Sequence, residues 1–166
     1  MHEGLFIVRV VAGLVMAAHG SQKLFGWFGG YGLDGTGGFF ESLGFRPGRL
    51  FATAAGLSEF VGGALIALGF LGPVGPALVL AVMIVAAVTV HWHNGLFATT
   101  NGIEVPLLYG IIAVLLALSG PGAYSLDALF GLTAFWTPEL SWAALLVGIV
   151  GGVANVAARR PVPVKA

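Results

Sequence analysis

Long runs of apolar residues, separated by short polar or glycine-rich connectors, repeat along the whole chain. A transmembrane helix needs about 20 apolar residues to cross a hydrocarbon core of ~30 Å at ~1.5 Å per residue. The pattern therefore predicts an all-α integral membrane protein. Helices 1 to 4 form a four-helix transmembrane bundle in this prediction, and an added fifth helix crosses the membrane near the C-terminus. The predicted spans are residues 5–25, 50–71, 76–93, 103–119 and 140–158.

Composition leads to the same class of protein. Of the 166 residues, 58% are hydrophobic and 8% are charged, whereas a soluble domain carries roughly 25% charged residues. The net charge is zero and the basic residues are scattered, so no nucleic-acid partner is expected. The chain has no cysteine, which excludes disulfides, Cys-ligated iron–sulfur clusters and a thiol relay within it. Redox chemistry would therefore need a bound cofactor or a quinone.

The connector between helices 1 and 2, residues 26–45, is rich in glycine and aromatic residues. It predicts an interfacial or re-entrant segment with a short helix at residues 38–43, capped by Asp34 or Thr36 and ended by Gly44. An aromatic belt that only anchors the flanking helices has the same composition. The rings expected at headgroup depth are those of Trp27, Phe28, Tyr31, Phe39, Phe40 and Phe45.

Helix 1 carries one stripe of charged and small residues that is expected to face other helices, because residues three or four apart share a helix face. Its members are Arg9, Gly13, Met16, Gly20 and Lys23. Helix 2 has Glu59 on a small-residue face, at a predicted depth of about 13 Å. A carboxyl group at that depth needs a partner. Lys23 is the expected partner, with His19 as a second supplier.

Alternating helices bring the end of helix 1, the start of helix 2, the end of helix 3 and the start of helix 4 to one side of the membrane. Their polar side chains should form one cluster in a single leaflet, with Glu59 beneath it. We expect a ligand or a partner enzyme to bind there, and we take His19, Lys23, Glu59 and Glu104 as the catalytic candidates. The full set of ligand-binding candidates is His19, Gln22, Lys23, Trp27, Glu59, His91, His93 and Glu104.

Basic residues collect on the same predicted side of the membrane as this cluster. By the positive-inside rule that side is cytoplasmic. The prediction is a multi-pass protein of the cell (plasma) membrane, with the N-terminus outside and the C-terminus in the cytoplasm. The basic residues concerned are Arg46, Arg49, Arg159, Arg160 and Lys165.

On the opposite side, Arg9 and Asp127 are expected to form a structural ion pair, and a proton path that ends there is the alternative. Two metal sites are conceivable from these residue types: haem between His19 and His91 or His93, and zinc held by His19, His91, Glu59 and Glu104. His91 and His93 are two residues apart, so they point ~200° from each other on a helix. No spaced metal motif supports either site. We expect no metal and no covalently bound cofactor.

The C-terminal run contains Gly148 and Gly152, a GxxxG pattern that permits close helix pairing and is compatible with a homo-oligomer. The chain divides into a four-helix core at residues 1–131, the additional helix at 132–158, and a basic, disordered tail at 159–166.

Several motifs resemble those of the DoxX family of small bacterial and archaeal membrane proteins. The resemblance covers about residues 5–127 and implies a four-helix core. The fifth helix of this chain is not part of that family pattern. The motifs are Arg9 with Gly13, His19-Gly20-Ser21-Gln22-Lys23-Leu24-Phe25-Gly26, Glu59 with Gly62-Gly63, Gly102-Ile103-Glu104-Val105-Pro106, and Gly120-Pro121-Gly122 ahead of Ser125-Leu126-Asp127.

The resemblance implies a membrane subunit or accessory of a quinone-linked oxidoreductase, similar to the small subunit of a thiosulfate:quinone oxidoreductase, or of an oxidative-stress system. In that role Lys23 or His19 would donate to a quinone oxygen, Glu59 or Glu104 would relay a proton, and Trp27 and Phe28 would pack on the ring. Two alternatives stay open. One is a non-catalytic membrane anchor that gathers soluble redox enzymes, and the other is a small proton-coupled transporter with Glu59 as its intramembrane acid.

Overall fold

The regular structure of residues 2–160, which the computed structural model describes, is entirely helical. Four helices are long and apolar enough to cross a membrane, and α5, with 16 residues, is about 24 Å long. A helical membrane bundle is therefore confirmed. The α-helices are α1 His2–Phe25, α2 Gly32–Ser42, α3 Gly48–Leu68, α4 Val74–Ala86, α5 Glu104–Ser119, α6 Leu126–Leu129 and α7 Pro138–Ala157, and α4 continues through a π-helical turn, Ala87–His91, and a 3-10 turn, Trp92–Asn94.

The outward faces of the long helices are lined with large apolar side chains, as a lipid environment requires. Val11, Leu14, Leu107, Ile111 and Val147 are all exposed on the surface of the single chain. In water such a surface would be unstable, whereas in a bilayer it is solvated by acyl chains. The bundle is therefore built for a lipid bilayer.

The five long helices alternate in direction, as the sequence predicted. The side chain of Arg9, near the start of α1, donates to the carbonyl oxygens of Pro121 and Tyr124, which follow α5. At the other end of the bundle the backbone N–H of Arg160, after α7, donates to the carbonyl oxygen of Gly44 at 2.8 Å. We call these the Arg9 end and the Lys23 end of the bundle.

Close contact between the backbones of α1 and α3 confirms the predicted stripe on α1. A Cβ atom placed on Gly13 would lie 2.6 Å from the carbonyl oxygen of Gly63, and one on Gly20 would lie 2.6 Å from that of Gly56. Only glycine permits backbones to approach this closely. The short distance between the helices is what lets the side chain of Lys23 reach α3.

At the Arg9 end, Arg9 and Asp127, which were predicted to form a structural ion pair, are both buried, and both form hydrogen bonds with backbone groups. The Asp127 carboxylate accepts the N–H groups of Leu71 at 3.0 Å and Gly72 at 2.7 Å. It therefore holds the turn that follows α3, where Leu71 has a positive φ of 60°. The opposite charges of Arg9 and Asp127 remain close enough to attract each other.

The connector between α1 and α3 differs from its prediction in three respects: the start of its helix, the cap of that helix and the burial of two aromatic rings. Its helix, α2, begins at Gly32 and not near residue 38, and no side chain caps it. Packing against α3 offsets the helix-weakening effect of its glycines, since a Cβ on Gly37 would lie 3.2 Å from the backbone of Arg49. Of the rings expected at headgroup depth, Phe40 and Phe45 are buried, while Trp27, Phe28 and Tyr31 are exposed.

Helix α7 belongs to the same hydrophobic core as the other helices, because its Leu145 packs in one cluster with Met83 of α4 and Leu116 of α5. Gly148 and Gly152 face the carbonyl oxygens of Ala77 and Ala81, so the GxxxG pattern pairs α7 with α4 inside the chain. The tail predicted to be disordered begins with two residues that contact the α2–α3 loop. Its remainder, residues 161–166 including Lys165, lies outside the described residues.

Candidate functional site

An ion pair joins α1 to α3 in the interior of the bundle. Nζ of Lys23 contacts Oε2 of Glu59. Glu59 stands eleven residues into the 21-residue helix α3, about 16 Å from its start, and only 3% of its side chain is exposed. The side chain of Lys23 is 27% exposed. The predicted partnership of these two residues is therefore present in the structure.

The pair lies in the wall of a cavity of about 240 Å³, which we call the aromatic cavity. Its wall is formed by α2, α3, α4 and α7 together with Lys23 of α1. The aromatic lining residues are Phe39, Phe40, Phe45 and Phe51, and the polar ones are Lys23, Ser58, Glu59, Thr89, His91 and Asn155.

Helices α3 and α4 are in close contact near the Arg9 end and line the aromatic cavity toward the Lys23 end. Near the Arg9 end, a Cβ on Gly62 would lie 3.1 Å from the carbonyl oxygen of Gly75. Toward the Lys23 end the helices enclose the cavity, and there the π-helical turn Ala87–His91 interrupts α4. Thr89 in this turn donates to the carbonyl oxygen of Val85 at 2.8 Å. Single π-helical turns are frequent at functional sites.

His19 does not join the ion pair, contrary to the role of second supplier. Its ring meets that of Tyr109 on α5 edge to face, with centroids 6.4 Å apart, and its Nδ1 lies 3.2 Å from Oε1 of Gln22. Lys23 follows His19 by four positions, a step that turns the helix by about 40° beyond one full rotation. The short imidazole therefore stays toward α5, while the long lysine stem reaches Glu59.

The remaining candidates divide between the cavity and the surface. His91 lines the cavity, and its Nδ1 lies 2.8 Å from the carbonyl oxygen of Asn101. His93 points elsewhere and is exposed, as the 200° separation predicted. Glu104 accepts the N–H of Ala98 at 2.7 Å, so it shapes the loop before α5. Trp27 is exposed and packs on Phe25, away from the cavity.

A second, wider cavity of about 570 Å³ lies between the end of α1 and α2. Lys23, Phe39 and Phe40 line both cavities, and Gln22 lines this one alone. Lys23 therefore borders both of these cavities, whereas Glu59 borders only the first.

Sequence reasoning missed Ser58, Thr89 and Asn155 as lining residues. Each is a small polar residue inside an apolar helix, and such residues usually face protein in a membrane. The sequence therefore indicated that each of these residues faces protein. It did not indicate that all three face the same cavity, because they lie on three different helical segments.

The four residues considered for a zinc site do not meet at one point, because Glu104 bonds to a loop and His19 packs on Tyr109. Within residues 2–160 no group of three His, Asp or Glu side chains is placed to hold a metal ion.

The fold and the site define the class: a multi-pass helical membrane protein with an ion pair at the centre of its bundle. The sequence profile of the DoxX family matches residues 4–92, more than half of the chain. The chain therefore belongs to the DoxX family. No curated protein and no solved structure matches it significantly. The matched region contains Lys23, Glu59 and His91, while α5 and α7 follow it.

Proposed function

We propose that this protein binds a membrane quinone in the aromatic cavity and serves as a membrane subunit or accessory of a quinone-linked oxidoreductase. The observation that carries the proposal is the Lys23–Glu59 pair, which sits in the wall of an otherwise largely apolar, phenylalanine-lined cavity inside the bundle. A quinone combines a flat apolar ring with two carbonyl oxygens, and this cavity offers a partner for each part.

In the proposed complex, the Lys23 ammonium donates a hydrogen bond to one quinone oxygen. Glu59 holds the ammonium group in place and is the nearest group able to accept its proton. Phe39, Phe40 and Phe45 supply the apolar surface for the ring. Ligand pockets for drug-sized molecules usually measure about 300 to 1,000 Å³. A cavity of about 240 Å³ suits the ring alone, and the isoprenoid tail extends into the bilayer.

A partner oxidoreductase would deliver the electrons to the quinone, because this chain has no cysteine for a thiol relay or for Cys-ligated iron–sulfur clusters. A proton-coupled transporter is not favoured. Transport needs a path on both sides of Glu59, and the cavity beside Arg9 at the other end of the bundle measures only about 10 Å³.

Protein purified in a mild detergent is expected to retain a quinone that lipid extraction and mass analysis detect. The variant carrying both Lys23→Met and Glu59→Gln should retain at least about tenfold less, because the donor to the quinone oxygen is lost while the packing is kept. Arg49→Met is the matched control, since it removes one positive charge from an exposed side chain at the same end. Equal quinone content in all three proteins would contradict the proposal, and so would a preparation without quinone that also fails to bind added quinone.

We further propose that the Lys23 end faces the cytoplasm, because Arg46, Arg49, Arg159 and Arg160 lie there. The chain lacks cysteine, so single cysteines report cleanly. A membrane-impermeant thiol reagent added to intact cells should label Thr133→Cys and leave Asn101→Cys unlabelled until the membrane is opened. The reverse pattern would show the opposite orientation.

A further inference from the structure

The last described turn of the chain is fastened to the loop between α2 and α3. Nε of Arg159 donates to the carbonyl oxygen of Leu43 at 2.7 Å, and the backbone N–H of Arg160 donates to that of Gly44 at 2.8 Å. The guanidinium carbon of Arg159 also lies 5.8 Å from the centroid of the Phe45 ring, within the range of a cation–π interaction. We call these three contacts the C-terminal clamp.

The clamped loop forms part of the wall of the aromatic cavity. Leu43 and Phe45 both line it, and Phe45 is completely buried. The ring of Phe45 packs on those of Phe40 and Phe51, at centroid distances of 5.4 and 5.1 Å, and these rings line the cavity too. A displacement of Phe45 would therefore disturb three of the four aromatic lining residues.

We propose that Arg159 is a positioning residue for the aromatic cavity: it holds Leu43 and Phe45 in the wall, so that the C-terminal helix controls access to the site near Lys23 and Glu59. The identity of the ligand rests on the proposed function, but the control of access does not. The same helix also contributes Asn155 to the lining. Both residues lie beyond the region that the DoxX family profile matches.

Apart from the clamp and the packing of the Phe45 ring, the loop is held by local backbone hydrogen bonds. The N–H of Gly44 bonds to the carbonyl oxygen of Glu41, and that of Phe45 to the carbonyl oxygen of Phe40, each at 3.0 Å, and both bonds stay within the connector itself. Segments whose backbone hydrogen bonds are all local open at a lower free energy than the packed helices. The C-terminal clamp ties this loop to the end of α7. Of its two hydrogen bonds, the one from the Arg159 side chain has a charged donor.

The test uses a cysteine in the aromatic cavity, Ser58→Cys, as the reporter. Its rate of modification by a membrane-permeant thiol reagent measures access to the cavity. Arg159→Met should raise this rate about tenfold, the effect expected from losing one charged hydrogen bond. Arg160→Met removes the same charge but keeps the clamp, which uses only the backbone of that residue, so the rate should stay unchanged. Arg159→Lys retains a cationic donor and should restore most of the protection.

A second reporter, Ser141→Cys, is buried near the Arg9 end of α7 and separates local opening from general loosening. Its rate should be the same with and without Arg159→Met. Equal rates at Ser58→Cys in both methionine variants, or a parallel rise at Ser141→Cys, would overturn the proposal.

Quinone binding by the cysteine-free variants completes the comparison. If Arg159→Met opens the cavity but neither the unchanged protein nor any variant binds quinone, the role of Arg159 is supported and the proposed function is contradicted. If quinone binds, Arg159→Met should weaken its binding several-fold while Arg160→Met does not. If both quinone binding and access to the cavity are unchanged in Arg159→Met, the proposed role of Arg159 is contradicted and the proposed function is not affected.

Discussion

Replacing Lys23 by methionine is expected to lower the free energy of unfolding in detergent by about 3 kcal/mol, because it leaves the carboxylate of Glu59 in the bundle interior without its partner. Only 3% of the Glu59 side chain is exposed, so solvent can do little to stabilise its carboxylate once the lysine is removed. Lys23 itself is 27% exposed, so the lower end of the usual range for a broken buried pair applies. Thermal or denaturant unfolding followed by circular dichroism measures the change.

Adding Glu59→Gln to the Lys23→Met variant should recover much of the loss. The double variant has no buried charge to compensate, and the glutamine amide costs less to bury than a carboxylate. A coupling of about 2 kcal/mol between the two positions is therefore expected from the double-mutant cycle. Strictly additive losses would show that the two side chains do not stabilise each other in the folded protein.

Replacing Gly63 by alanine is expected to destabilise the protein by about 3 kcal/mol, although alanine is the better helix former. A Cβ atom at this position would lie 2.5 Å from the carbonyl oxygen of Gly13, which is backbone and cannot rotate away. Helices α1 and α3 must then move apart. The movement also lengthens the reach that Lys23 needs to contact Glu59, so the loss includes part of the ion pair.

Gly151→Ala is the matched control for this substitution. It also exchanges a glycine for alanine inside a long helix, but nothing lies within 4 Å of the added atom. Its stability should be unchanged or slightly higher, by up to about 1 kcal/mol. Comparable losses at both positions would mean that helix propensity or lipid contact, and not the contact between α1 and α3, explains the effect.

The distribution of apolar residues was sufficient to predict the helical membrane bundle, because a lipid environment leaves few alternatives. A spanning segment must satisfy its backbone hydrogen bonds internally and must be about 20 residues long. The same constraint made Lys23 and Glu59 predictable as partners. Alternating helices placed them in one leaflet, and an ionisable group inside a bundle needs a counterpart. The glycines of α1 showed which face of that helix meets protein.

Tertiary packing decided everything that depends on the relative rotation and spacing of the helices. The aromatic cavity could not be predicted, since Phe45, Thr89 and Asn155 lie on three separate segments that come together only in the packed bundle. The start of α2 at Gly32 was missed because local propensity disfavours a glycine-rich helix, while contact with α3 stabilises it.

The two ends of the bundle show the same division. The sequence by itself determined that Arg9 and Asp127 lie at one end of the bundle and that Arg159 lies at the other. Only the structure showed that Asp127 holds the turn after α3 through backbone N–H groups, and that Arg159 fastens α7 to the cavity wall. Side-chain chemistry and helix order limit which groups can meet, but backbone donors and carbonyls compete for the same charges. Whether a charged side chain pairs with another side chain or with a backbone group depends on distances that are set only when the helices pack.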